Sequence, residues 1–306
     1  MDPEKSGLTT MEQPATLTVQ RLAFRDYIQL CKPRVVSLIM FTAVVGMFLA
    51  TPDMVPLSTI LFATLGIGFA AGSGAAINHL VDRKIDALMG RTQRRPLPSG
   101  RVERHAALAF ALVLCGLGTL ILVLFVNILT AVLTLASMVG YAVIYSVFLK
   151  RATPQNIVIG GAAGAMPPVL GWTAVTGYLD PHALLLFLII FAWTPPHFWA
   201  LAIHRRSEYA RAEIPMLPVT HGVEFTRLQI LLYTVIMLLA SILPFITGMS
   251  GIIYLIGALG LGGGFLYYSV LLYGRRDDTL PMRTFRYSII YLAGIFSFLL
   301  VDHYLT

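Results

Sequence analysis

Asn78, Asp82 and Asp86 recur at four-residue intervals. On a helix that spacing puts the three side chains along one stripe. One amide and two carboxylates are hard oxygen ligands, the kind that hold Mg²⁺ while water and phosphate oxygens complete its shell. Arg91, Arg94 and Arg95 follow closely, and Pro96 stops any helix there. Guanidinium forks match phosphate oxygens. Residues 78–101 therefore suit a magnesium-bound diphosphate at the end of a membrane helix. The alternative for the same residues is a solvated loop whose acids merely balance its bases.

A second stretch, residues 193–218, carries His197 beside the Pro195-Pro196 pair, inside an apolar run. An ionisable residue within a membrane span is a functional candidate, with a hydrogen-bonded structural histidine as the alternative. Glu208 follows and could add a carboxylate to a second metal; Glu213 competes with it. His204 and His221 read as solvated or interfacial. Upstream, Tyr141 and Tyr145 precede Lys150 and Arg151. They either line a pocket or belong to an interfacial aromatic belt. His79, beside the stripe but off its face, reads as a local hydrogen-bonding group.

The elements that must position these groups are membrane helices. Of 306 residues, 57% are hydrophobic and only 12% charged, against about 25% charged in a typical soluble domain. Mean hydropathy is +0.77. Apolar blocks at 35–51, 57–78, 106–125, 129–149, 156–177, 183–203, 228–247, 250–273 and 287–303 give nine candidate spans, each near the ~20 residues needed to cross the hydrocarbon. All 22 Lys and Arg fall in alternate segments between these blocks. Basic residues stay cytoplasmic, so the N-terminus and the 78–101 segment are expected inside and the C-terminus outside.

Residues 1–20 are polar and are expected to be a disordered tail. Residues 21–306 are expected to form a single transmembrane domain. Residues 21–34 mix basic and apolar groups, as an interfacial helix does, with Pro33 as its stop. There is no signal-peptide apolar region, and Asp2, Glu4 and Glu12 argue against a mitochondrial presequence. The small residues from Gly66 to Ala76 predict close packing of the second span; Gly262, Gly263 and Gly264 predict the same later. Gly160, Gly161, Gly164, Pro167, Pro168 and Gly171 predict a break in the fifth. Cys31 and Cys115 have no metal-ligand spacing and suit no disulfide. The pI near 9.5 needs no nucleic acid: anionic inner-leaflet lipid and a diphosphate account for it. No P-loop, zinc spacing or nucleophile elbow is present.

Asn78-x-x-x-Asp82-x-x-x-Asp86 at the inner end of the second span resembles the first aspartate-rich motif of the UbiA-type intramembrane prenyltransferases. Met89-Gly90-Arg91-Thr92, Arg95-Pro96-Leu97-Pro98, Thr153-Pro154-Gln155-Asn156, Trp193-Thr194-Pro195-Pro196-His197 and Ile214-Pro215-Met216-Leu217-Pro218 look like the branch that farnesylates protoheme IX. The likeness runs from Lys32-Pro33-Arg34 through the ninth span. It implies an all-α polytopic membrane protein, nine helices around a central cavity open near the cytoplasmic side, in a bacterial inner membrane. It implies farnesyl diphosphate and heme b as substrates, heme O as product and Mg²⁺ as cofactor. The implied metal ligands are Asn78, Asp82 and Asp86, with Arg91 and Arg95 also catalytic. Lys150, His197, Tyr141, Tyr145 and Glu208 are the implied substrate-binding residues, and Arg94 ranks behind its neighbours. A heme-modifying or oxidase-assembly protein is the implied partner. One departure stands out: Glu208-Tyr209 lies where many relatives carry a second aspartate-rich motif, which puts a second full magnesium site in doubt. The alternatives are prenylation of a quinone precursor or chlorophyllide, or, in another class, transport of an anionic lipid or heme.

Overall fold

The computed structural model describes residues 24–90 and 92–305; the expected tail at 1–20 lies outside the described residues. Helices α1 (Phe24–Leu30) and α2 (Pro33–Leu49) are followed by α3 (Leu57–Leu88) and α4 (Arg104–Phe125). Next come α5 (Ile128–Val139), a π-helix (Gly140–Leu149) and the short α6 (Lys150–Ala152), which run on as one span. Helices α7 (Asn156–Ala165) and α8 (Pro167–Thr176) form the next, and α9 (Pro181–His204) follows. The rest are α10 (Arg206–Arg211), α11 (Leu217–Thr220), α12 (Val223–Ile246), α13 (Ile252–Gly274) and α14 (Leu280–Leu305). The described residues contain no strand.

Among the described residues, eight helical stretches are long and apolar enough to cross a membrane. A ninth is reached if α1 and α2, bent by 56°, are one broken span. Leu112, Val113, Leu120 and Leu124 of α4 are among many exposed apolar side chains, a surface suited to lipid rather than water. This is a multi-pass membrane protein.

The first span differs from expectation at its start. Pro33 does not stop an interfacial helix; α1 has already ended at Leu30. Pro33 instead opens α2, where its missing N–H is no loss. The corner is made by Lys32, a non-glycine residue in the left-handed region at φ 50°, ψ 59°, where an L side chain is disfavoured. The expected break in the fifth span is present, at Met166 between α7 and α8.

Small residues bring the helices together as anticipated. A Cβ on Gly118 of α4 would sit 2.7 Å from the Gly66 carbonyl oxygen of α3, and one on Gly171 of α8 would run into the Ala43 carbonyl of α2. Backbones in contact fix helix rotation, because no side chain is left to give way. At one end of the bundle Ile85 of α3 and Met89, just past its end, share an apolar cluster with Ile157 of α7, Trp199 of α9 and Leu272 of α13. That cluster anchors the end of α3 that carries the polar stripe.

Candidate active site

Helix α3 has 32 residues, roughly 48 Å at 1.5 Å per residue, against a hydrocarbon core of about 30 Å. Asn78 comes about 32 Å along it, so the stripe occupies the excess turns. Asn78, Asp82 and Asp86 are each only 4% exposed. Three polar side chains at that depth need partners, and basic groups from three separate elements supply them.

Lys32, at the α1–α2 corner, donates from Nζ to Asn78 Oδ1 at 2.5 Å and to the Tyr141 hydroxyl at 3.4 Å. Lys150, opening α6, donates to Asp82 Oδ2 at 2.6 Å. Arg95, in the α3–α4 connection, donates from Nη1 to Asp86 Oδ2 at 2.8 Å. Asn78 Nδ2 donates to Asp82 Oδ2 and to Ser146 Oγ, both at 3.0 Å. Thr92 Oγ1 donates to the Asp86 carbonyl at 2.9 Å, folding the connection back over the end of α3. Asn156 Nδ2 donates to the Lys150 carbonyl at 3.0 Å and steadies α6.

The π-helix is what aims Lys150. Nine residues from Tyr141 to Lys150 make two and a half turns of an α-helix, which would place them on opposite sides. With i→i+5 bonding nine residues make about two turns, and both face the same way. Tyr141, Tyr145, Ser146 and Lys150 consequently share one face. Tyr141 and Tyr145 stack with ring centroids 5.8 Å apart, both half-buried. The Tyr145 ring fills the space a side chain would take on Gly160. Tyr141 reaches the stripe's end through Lys32, and Tyr145 packs against α7.

Asn78, Asp82, Asp86, Arg95, Lys150, Tyr141 and Tyr145 are thus brought together. Arg91 lies outside the described residues. Arg94 is exposed, and its carbonyl accepts from Arg101 Nη2 at 2.8 Å. His79 corrects expectation: it makes no hydrogen bond, both ring nitrogens are buried without a partner, and Nδ1 stays 4.0 Å from Asp86 Oδ2. Glu208 is held locally, its Oε1 accepting from Arg205 Nη1 at 2.8 Å. Among the described residues no three His, Cys, Asp or Glu side chains converge as a metal cluster; the stripe offers two carboxylates and an amide. Sequence reading missed the parts played by Lys32 and Ser146. Neither contact had a local signal: Lys32 and Ser146 meet Asn78 across 46 and 68 residues of chain.

His197 stands apart from the stripe, 8% exposed within α9. Its ring lies between Trp193 (centroids 4.2 Å apart, 18° between planes) and Phe285 (4.6 Å, 26°). Nδ1 is 2.6 Å from Ser288 Oγ on α14.

Residues 39–295 match the UbiA prenyltransferase family. The chain belongs to that family. It is a membrane-embedded prenyltransferase. It is 63% identical over 294 residues to a protein of Nitrosococcus oceani named protoheme IX farnesyltransferase, covering 95% of this chain and 98% of that one. A protein of the same name from Methylococcus capsulatus is 61% identical over 284 residues, 93% of this chain and 95% of that one. Among solved structures the fold is similar to a digeranylgeranylglyceryl phosphate synthase (TM-score 0.77, 20% identity, 92% of this chain and 98% of that one). It is also similar to a UbiA homologue of Archaeoglobus fulgidus bound to GPP and Mg²⁺ (TM-score 0.60, 16% identity, 90% and 99%). At these identities the structures establish the family's fold for this chain.

Proposed function

We propose that this enzyme transfers the farnesyl group of farnesyl diphosphate to a vinyl group of heme b, giving heme O, with Mg²⁺ as cofactor. The observation that carries the prenyl half is the convergence of Lys32, Lys150 and Arg95 on Asn78, Asp82 and Asp86. Three cations from three elements around a stripe of hard oxygen donors match a diphosphate and its counter-ion. The relatives' shared name supports heme as acceptor, and the bound GPP and Mg²⁺ of the Archaeoglobus homologue support the diphosphate and the metal.

The donor set fits Mg²⁺. Asp82 Oδ1 is buried with no hydrogen-bond partner, an orphan that a bound cation would satisfy. Asn78, Asp82 and Asp86 would hold the ion, which when bound supplies positive charge to the phosphate oxygens.

In the reaction the allylic C1–O bond breaks and its electron pair leaves with the diphosphate. Lys32, Lys150 and Arg95 stabilise that charge, with Arg91 placed nearby in the chain for the same task. The vinyl π electrons form the new bond at C1. Water then adds to the resulting cation and loses a proton, completing the hydroxyethyl unit. Tyr141 and Tyr145 wall the reacting carbon from bulk water. His197 contacts the heme, and residues 21–306 act as one domain. Glu208 is a substrate-side carboxylate held by Arg205, with Glu213 the alternative for a second metal. The membrane is the bacterial inner membrane, with the N-terminus inside, and a heme-modifying or oxidase-assembly protein works beside it.

The purified protein should convert heme b and farnesyl diphosphate into heme O with Mg²⁺, read by mass spectrometry. Prenylation of a quinone precursor with no heme O would replace the acceptor and leave the prenyl half intact. Family membership as a transferase removes the transporter alternative.

A further inference from the structure

Ser288 is fully buried on α14 and tied to α9 twice. Its carbonyl accepts from Trp193 Nε1 at 2.7 Å, and its hydroxyl oxygen lies 2.6 Å from His197 Nδ1. The same hydroxyl donates to the Phe285 carbonyl at 2.6 Å. A hydroxyl has one proton and two lone pairs. With that proton spent on a carbonyl, which can only accept, Ser288 Oγ must accept from His197. Nδ1 therefore carries the ring hydrogen. In a neutral imidazole the other nitrogen, Nε2, is then a bare lone pair. Nε2 makes no hydrogen bond with any described residue.

The ring cannot readily turn to exchange its two nitrogens. Trp193 and Phe285 stack on its two faces, and Phe198 meets it edge-on with centroids 5.1 Å apart. Pro195 and Pro196 sit just before it in the helix. A histidine whose Nδ1–H is held by a neighbour and whose Nε2 is left open is the arrangement by which proteins orient an imidazole toward a metal.

We infer that Ser288 is a positioning residue: it holds His197 as the Nδ1–H tautomer so that Nε2 can ligate the iron of the porphyrin substrate. This rests on the heme reading above and says which atom makes the contact and what sets it. It involves no group of the diphosphate site.

Two measurements on the full-length protein in detergent test it. The first needs no variant: ¹⁵N NMR of imidazole-labelled protein, without heme, should show His197 as the Nδ1–H tautomer. An Nε2–H tautomer overturns the inference. The second is titration with heme b, followed by absorption and EPR spectroscopy. The wild type should show imidazole ligation, and His197→Ala should lose it. Ser288→Ala should bind heme roughly tenfold more weakly, in the range for removing the hydrogen-bond partner of a metal-ligating histidine, with pyrophosphate affinity unchanged. If His197→Ala keeps the wild-type spectrum, the heme contact itself fails. If His197→Ala loses the spectrum while Ser288→Ala matches the wild type, the contact stands and Ser288 has no part in it.

Discussion

Lys150 Nζ stands 2.6 Å from Asp82 Oδ2, across 68 residues of chain, while Asp82 Oδ1 is buried without a partner. Lys32 on Asn78 and Arg95 on Asp86 repeat the pattern. Each proposed metal ligand is held by one basic side chain. A metal arriving alone must compete with those cations, whereas a diphosphate offers them other oxygens.

Metal and diphosphate should accordingly bind interdependently. Mn²⁺ affinity, read by EPR as a stand-in for Mg²⁺, should rise roughly 5–150-fold when pyrophosphate is present, the usual span for coupled sites, and reciprocally. Lys150→Met should tighten Mn²⁺ binding without pyrophosphate and weaken pyrophosphate binding. Mn²⁺ affinity indifferent to pyrophosphate would sink the idea.

Asp82→Asn removes one charge from the stripe but keeps its shape. Turnover should fall about 10²-fold or more, the scale of losing one stabiliser of developing charge. The protein should remain folded by circular dichroism. Wild-type turnover at limiting Mg²⁺ would exclude a ligand role.

The π-helix should be indispensable to catalysis though not to insertion. Deleting Val143, a 40% exposed apolar residue within it, would rotate all that follows by about 80°, one residue's turn of a helix with i→i+5 bonding. Lys150 would then leave Asp82. We expect a membrane-inserted protein with prenyl transfer lost. Full activity in the deletion variant would show that the π-helix is not what aims Lys150.

Topology follows from the basic segments. After replacement of Cys31 and Cys115, Asp53→Cys and Leu179→Cys should react with a membrane-impermeant maleimide in intact cells. Gln93→Cys should react only after permeabilisation. Asp180 is avoided because its side chain caps α9 through His182 N at 2.8 Å. Labelling of Gln93→Cys in intact cells would invert the orientation.

The sequence by itself determined the membrane-helix architecture, because apolar runs of about twenty residues have no other use at this composition. It also placed the Asn78–Asp82–Asp86 stripe, since four-residue spacing is a local property of one helix, and it foresaw the break at Met166 from glycines and prolines nearby. Only the tertiary structure brought Lys32 and Ser146 to Asn78, because those contacts cross 46 and 68 residues of chain and no local pattern encodes them. It alone turned Lys150 inward: residues 140–149 read as ordinary α-helix, and the wider π turn leaves no mark in their hydrophobicity. It alone joined His197 to Ser288, 91 residues away. The sequence specified groups whose chemistry follows from one helix's period; the fold decided which distant cations and hydroxyls those groups meet, because buried polar atoms must find partners wherever packing puts them.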